Sequence, residues 1–400
     1  MASGERQFAL TIAVVIVILA IIAAGSWWVV SRRPTATGGP QETSTSPTSP
    51  QASQAQGGER ELVVYTYSDF MAWGENPNAT WDKVFYEFGR LHNVTVKVVT
   101  FDDARTMLTT LIEEARKGRP GADVVIGVDN LLVVEAKKAG VVDCYYSPIA
   151  NETVPASIAD ALDPERCVTP FDYGLIALVY DPQRLNSTEL AMLEHPTLDD
   201  LASLAGKLVV EDPTKSSPGL AFLFWEIAVS SKLENRDWRG WWSTVSSSVD
   251  IEPSWSDAFN VFLDPKQGRP IVVSYGTDPA YSAYENNGTP TLRAALIYSG
   301  GKSTAWLQVE GVMVVKGAEH PRLARMFVDW LLSRQVQELV PLNQWMLPAN
   351  SQASLPGVFR YALTLDDVDI VANNLFTPEE ISNNYEQWLQ EFLRVIGGAG

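Results

Sequence analysis

The 400-residue chain reads as an α/β protein whose sheet is covered by helices on both faces. Three observations predict this class. Strand-like and helix-like segments alternate in β-α-β-α-β-α order from residue 61 onward. The strand at 122–127 (ADVVIG) is short and apolar, as expected of a parallel strand buried on both faces. The length suggests two domains at about 100–200 residues per domain.

The elements follow in order. Residues 61–67 (ELVVYTY) alternate as a β-strand, and 80–91 carry Trp81, Val84, Phe85 and Phe88 on one helical side. A second strand spans 94–101. Asp102 or Asp103 then caps a helix over 104–117, whose apolar face is Met107, Leu108, Leu111 and Ile112. The strand at 122–127 leads into a helix over 131–139. A second αβ set comprises strands at 175–180 and 207–211, a helix from Ser217, and a strand at 271–275. Late helices are expected over 320–339 and 377–396, the last opened by a Thr377-Pro378-Glu379-Glu380 capping box. In open parallel sheets ligands bind at the carboxyl ends of the strands. Here those ends are segments 67–69, 101–103 and 127–130.

The amino terminus sets the compartment. Residues 8–30 are free of charge and long enough, at about 1.5 Å per residue, to cross a hydrocarbon core. Trp27 and Trp28 suit the interface and Arg32 and Arg33 close the span. The length favours a retained anchor over a cleaved signal, although Ala23-Ala24-Gly25 would serve a peptidase. Residues 34–58 are rich in Ser, Thr, Pro, Gln and Gly and read as a flexible tether. Five Asn-X-Ser/Thr triplets, at Asn78, Asn93, Asn151, Asn186 and Asn287, agree with a body outside the cytoplasm. Cys144 and Cys167 are either one disulfide or two separate buried thiols.

Charge and composition then limit the ligand. The chain carries −18; residues 1–58 hold three Arg against two Glu, so −19 falls on residues 59–400. Such a body repels phosphate backbones, which excludes general nucleic-acid binding. Two Cys and three scattered His make no zinc site of ordinary spacing. There is no Gly-X-Ser-X-Gly, no P-loop and no His at a recognised spacing from a nucleophile, so no catalytic residues are assigned. Thirteen Trp residues stand out. Ser254-Trp255-Ser256, Ser274–Tyr281 (SYGTDPAY) and 343–348 (NQWMLP) place Trp255, Tyr275, Tyr281 and Trp345 near predicted strand ends or in loops. Several rings together would hold a flat cation by stacking and cation–π attraction. Ser216 and Ser217 precede a helix; they are either an anion seat or an ordinary N-cap.

Taken in series, YTYSDF with Trp73-Gly74, ADVVIGVDN, PFDYGLIALVYD, DPTKSSPGL, SWSDAFNVF, SYGTDPAY and NQWMLP resemble the thiamine-binding periplasmic proteins of ABC importers. The similarity runs over about residues 61–395. It implies a type II periplasmic-binding fold, two αβ lobes joined by a hinge: 59–171 and 304–400 in one lobe, 172–303 in the other. Hinge crossings are expected near 170–174 and 304–311. Matched position by position, ligand contacts fall on Asp103, Ala104, Ser216, Ser217, Trp255 and the run Tyr275, Gly276, Thr277, Asp278 and Pro279. Tyr67, Trp73, Tyr281 and Trp345 match further cleft aromatics. Ala104 stands where the family usually has Gly, and Lys215 adds a charge that would favour phosphorylated ligands.

The implied function is that of a solute receptor; the N-terminal segment, in place of the family's usual cleaved signal, would hold a monomeric body on the outer face of the cell membrane. It would deliver thiamine, or its mono- or diphosphate, to a permease and ATPase, with no cofactor and no metal. Two alternatives differ in chemistry. A thiamine-cleaving enzyme would use Cys167 as its nucleophile. A receptor for ferric iron or a polyamine would, for iron, need a tyrosine pair such as Tyr275 and Tyr281.

Overall fold

The computed structural model describes residues 60–398, so the span expected at 8–30 and the tether at 34–58 lie outside the described residues. Eight strands form the continuous path of its sheet. They are β1 (Glu61–Tyr67), β2 (Thr95–Phe101), β3 (Val124–Asp129), β4 (Thr169–Tyr180), β5 (Leu208–Glu211), β6 (Asp250–Glu252), β7 (Ile271–Tyr275) and β8 (Lys302–Val315), in the order β2-β1-β3-β8-β4-β7-β5-β6. The helices that matter for the site are α1 (Ala104–Arg116), α2 (Leu132–Ala139), α3 (Ser217–Ile227), α4 (Trp255–Leu263), α5 (Asp278–Glu285), α6 (Pro321–Leu331) and α7 (Pro378–Ile396).

The sheet corrects the expectation of a purely parallel arrangement. β1 pairs in parallel with β2 and β3, and β5 with β6 and β7. Between these sets, β8 runs antiparallel to both β3 and β4, and β4 antiparallel to β7. Sequence reasoning missed β8 as a strand and began β4 six residues late. In both places the strand-like run is interrupted: by the polar Gln308 and Glu310 in β8, and by Pro170, Asp172 and Gly174 in β4. The β8–β4 register shifts between Glu310 and Gly311, beside Asp172 and Pro170.

Two large cores flank the central strands. One gathers β1, β3, α1 and α6 around Leu62, Met107, Ile126 and Phe327; the other wraps α3 and β7 with Phe222, Trp225, Trp242 and Val273. Strand β4 contributes to both, Phe171 and Leu175 to the first and Ile176 and Leu178 to the second. α3 is buried at every position from Pro218 to Ile227, so it is a core helix rather than an amphipathic one. The long segment expected at 320–339 is interrupted: α6 ends at Leu331, and Ser333 caps a separate turn, Arg334–Gln337. At the start of α7 the Thr377 hydroxyl accepts from the N–H of Glu380 at 3.1 Å, while the Glu380 carboxylate turns outward to Lys232.

Gly219, in the SPGL run, explains its own presence. A Cβ there would sit 2.5 Å from the carbonyl oxygen of Glu211, where α3 crosses the end of β5. Gly219→Ala is expected to cost about 1–2 kcal/mol through overpacking. Equilibrium urea unfolding measures this, and an unchanged midpoint would show that the crossing has slack. Cys144 and Cys167 form a disulfide across 23 residues of chain.

Candidate functional site

Strand ends and helix starts converge on a cleft of about 890 Å³, counting its solvent-open mouth. Eleven of the residues expected from sequence line it: Tyr67, Trp73, Asp103, Ala104, Ser216, Ser217, Trp255, Tyr275, Asp278, Tyr281 and Trp345. Gly276, Thr277 and Pro279 do not; they are buried behind the wall. Gly276 runs so close to Leu363 that an added Cβ would meet the Leu363 Cβ at 2.8 Å. A side chain has no room at this position. Asp69, Asp102, Ser254, Phe259, Glu310 and Gln344 also line the cleft and were not singled out. Asp69 and Asp102 sit in segments already recognised as strand ends, and Ser254, Phe259 and Gln344 in the blocks SWSDAFNVF and NQWMLP. Glu310 alone lies on the missed strand, where the available signal was a carboxylate inside the apolar run WLQVEGVMVV.

The aromatic wall is held rigidly. The Trp255 ring stacks on Phe259 at 5.0 Å and meets the edge of Trp73 at 5.0 Å. Its Nε1–H donates to Ser274 Oγ at 2.9 Å, which fixes the indole in its plane. Trp345 adopts a left-handed backbone conformation, φ 58°, which is strained for a bulky side chain and costs about 1–3 kcal/mol. That strain is held by Trp345 Nε1 donating to the Trp73 carbonyl at 3.0 Å and by edge contact with Tyr281 at 5.2 Å.

The polar groups divide by partner. Asp103, rather than Asp102, caps α1: its carboxylate accepts from the Thr106 N–H at 2.7 Å and hydroxyl at 2.8 Å. This leaves Asp102 as the more exposed carboxylate at that corner. Ser216 caps α3 without a side-chain hydrogen bond, and its hydroxyl is buried and unpartnered beside free N–H groups of the first turn. Lys215 is not on the cleft wall; it points to solvent and pairs with Asp212 at 3.5 Å. Tyr67 donates to Glu310 Oε2 at 2.7 Å, and Gln308 donates to the Tyr275 hydroxyl at 2.8 Å. Both tyrosines are held protonated far above their ordinary range, by burial first and by nearby carboxylates second.

Burial raises acids as well. Asp278 is pushed up to about 7, against the hydrogen bonds from Ser274 and the Tyr275 backbone. Glu226, in the second core, is pushed up to about 8 although Ser230 donates to it at 2.6 Å. A raised folded-state pKa means the fold binds more protons than the unfolded chain. This stabilisation is therefore complete below the ordinary carboxyl range and is lost as pH rises toward 8. Thermal unfolding is expected at a lower temperature at pH 8 than at pH 5; a Tm that rises across that interval in scanning calorimetry would contradict these assignments.

A cleft at strand ends, carried by two long antiparallel strands between parallel sets, defines a solute receptor of the type II periplasmic-binding class. The family model described as "Bacterial extracellular solute-binding protein" matches residues 72–338, and the chain belongs to that family. The chain is 30% identical over 340 residues to the thiamine-binding periplasmic protein of Escherichia coli, covering 84% of this chain and 93% of that protein. It is equally similar, 30% over 340 residues, to the thiamine-binding periplasmic protein of Brucella abortus, covering 83% and 91%. A solved structure titled "Periplasmic thiamin binding protein" superposes with a TM-score of 0.70 at 28% identity, over 84% of this chain and 96% of that one. These proteins are solute receptors, and the alternative built on a Cys167 nucleophile has no support: Cys167 is bonded to Cys144 and lies off the cleft wall. Among the described residues no group of three His, Cys, Asp or Glu side chains is placed to hold a metal ion, and no helix is long and apolar enough to cross a membrane.

Proposed function

We propose that this protein captures thiamine, free or phosphorylated, in the cleft and presents it to the permease and ATPase of an ABC importer. One observation carries the reading. The cleft wall combines Trp, Tyr and Phe rings with five carboxyl groups, from Asp69, Asp102, Asp103, Asp278 and Glu310, and holds no Lys, Arg or His. Such a wall suits a flat organic cation: rings stack on its faces and carboxylates oppose its charge. The relatives' names supply the particular cation. The aminopyrimidine and thiazolium rings stack among Trp73, Trp255, Tyr281 and Trp345, and the hydroxyethyl end, or its phosphate, lies against Ser216 and Ser217. With no basic side chain there, a phosphate relies on backbone N–H groups and the helix terminus.

The two long strands β4 and β8 support a hinge at 170–174 and 304–311, about which segments 59–171 with 304–400 close on 172–303. The N-terminal segment 8–30 tethers a monomeric body to the outer face of the membrane. Equilibrium dialysis with labelled thiamine tests the ligand: one molecule bound per chain, undiminished by excess putrescine or ferric citrate, is the expected result. Displacement by either competitor would instead favour the polyamine or iron reading.

A further inference from the structure

Three carboxyl groups occupy paired positions on three neighbouring strands at the centre of the sheet. Glu310 of β8 stands opposite Asp129 of β3 on one side and Asp172 of β4 on the other. Their exposures are 7%, 2% and 0%. Like charges set directly across a sheet repel, and burial away from water raises the penalty. Little offsets it. Neither oxygen of Asp172 has a hydrogen-bond partner. Asp129 Oδ1 accepts from the N–H groups of Leu131 and Leu132, at 2.8 and 2.9 Å, at the start of α2. Glu310 accepts from Tyr67, whose hydroxyl also receives the Gln344 amide.

The groups facing this row come from several elements. Tyr67 reaches it from β1, Tyr275 from the end of β7, and Gln308 from β8 itself; Glu211 of β5 acts on Tyr275, while Ser217 of α3 and Arg105 of α1 act on Asp129. None of them places a positive charge on the Glu310–Asp172 pair. Burial first, and a neighbouring carboxylate second, hold both of these carboxyls above the ordinary range: Glu310 acts on Asp172, and Asp129 acts on Glu310. The described residues offer no metal site that would neutralise them. Glu310 alone of the three lines the cleft, so it alone meets a ligand.

We propose that the Asp129–Glu310–Asp172 row makes ligand capture an exchange of one organic cation for one proton. The free protein holds a proton on the Glu310–Asp172 pair. When the cation settles at Glu310, the carboxyl O–H bond breaks, its electron pair stays on oxygen, and the proton leaves to solvent. Charge entering the cleft thus equals charge leaving it. The inference rests on the thiamine reading for the identity of the cation. Where the row is protonated, binding must expel the proton, so affinity rises with pH by up to about tenfold per unit and levels off once the proton is gone.

Calorimetric titration of the full chain in mild detergent with thiamine, from pH 6 to 8 and in two buffers of different ionisation heat, tests this. Proton release approaching one per thiamine at pH 6 and vanishing at pH 8 is expected. Glu310→Gln should bind more weakly at pH 8 and lose the pH dependence. Asp172→Asn, off the cleft wall, should shift the whole profile to lower pH. A neutral isostere, with carbon in place of the thiazolium nitrogen, should bind without proton release. Thiamine binding with no proton release at any pH, or an undiminished pH dependence in Glu310→Gln, overturns the exchange and leaves the thiamine reading standing. Absence of thiamine binding at every pH overturns both.

Discussion

Replacing Trp255 by alanine is expected to weaken thiamine binding by about 2 kcal/mol, roughly thirtyfold in Kd. The indole is fixed from three sides: Phe259 backs one face, Trp73 meets it edge-on, and Ser274 holds its N–H. A ring held in this way loses little freedom when a ligand stacks on it, so most of the stacking and cation–π attraction appears as affinity. Trp255→Phe should fall between wild type and alanine, because it keeps a face and loses the bond to Ser274. Isothermal titration on variants with wild-type circular dichroism measures both. An alanine variant with unchanged Kd would remove Trp255 from the site.

Loss of the Cys144–Cys167 disulfide is expected to cost about 3 kcal/mol of folding stability, from the loop closed between residues 144 and 167. The bridge lies just before β4, where the Tyr145 N–H also donates to the Cys167 carbonyl at 3.3 Å. It therefore pins the incoming chain to the start of a central strand. Denaturant unfolding of the double variant Cys144→Ser, Cys167→Ser gives the figure. Because neither cysteine lines the cleft, thiamine affinity of the folded variant should stay at the wild-type value. A large loss of affinity without loss of stability would place the bridge in the binding machinery instead.

Much of the architecture was legible because the relevant signals are local. The boundaries of β1 and β7 follow from alternation and β-branched content, and the Asp102-Asp103 pair announces α1 by cap chemistry, with Asp103 the residue that caps it. Most cleft aromatics were legible for a related reason: strand ends place them together whatever the sheet order. The central strands were not, because their character is set by tertiary context. Gln308, Glu310 and Asp172 look like loop residues in one dimension and are buried ladder residues in three. The disulfide was likewise undecided from sequence, since pairing depends on how residues 144 and 167 approach in space. Gly276, Thr277 and Pro279 show the opposite effect. A recognisable block brought them forward together, but of the run from Tyr275 to Pro279 only Tyr275 and Asp278 line the cleft.

Every binding prediction above depends on the aromatic, acidic cleft receiving thiamine. Titrating the protein with thiamine while following tryptophan emission and melting temperature tests it most directly, because Trp73, Trp255 and Trp345 all line the cleft. Saturable quenching at one thiamine per chain, with a melting temperature that climbs with ligand concentration, is the expected result. Unchanged emission and an unchanged melting temperature at saturating thiamine would contradict it.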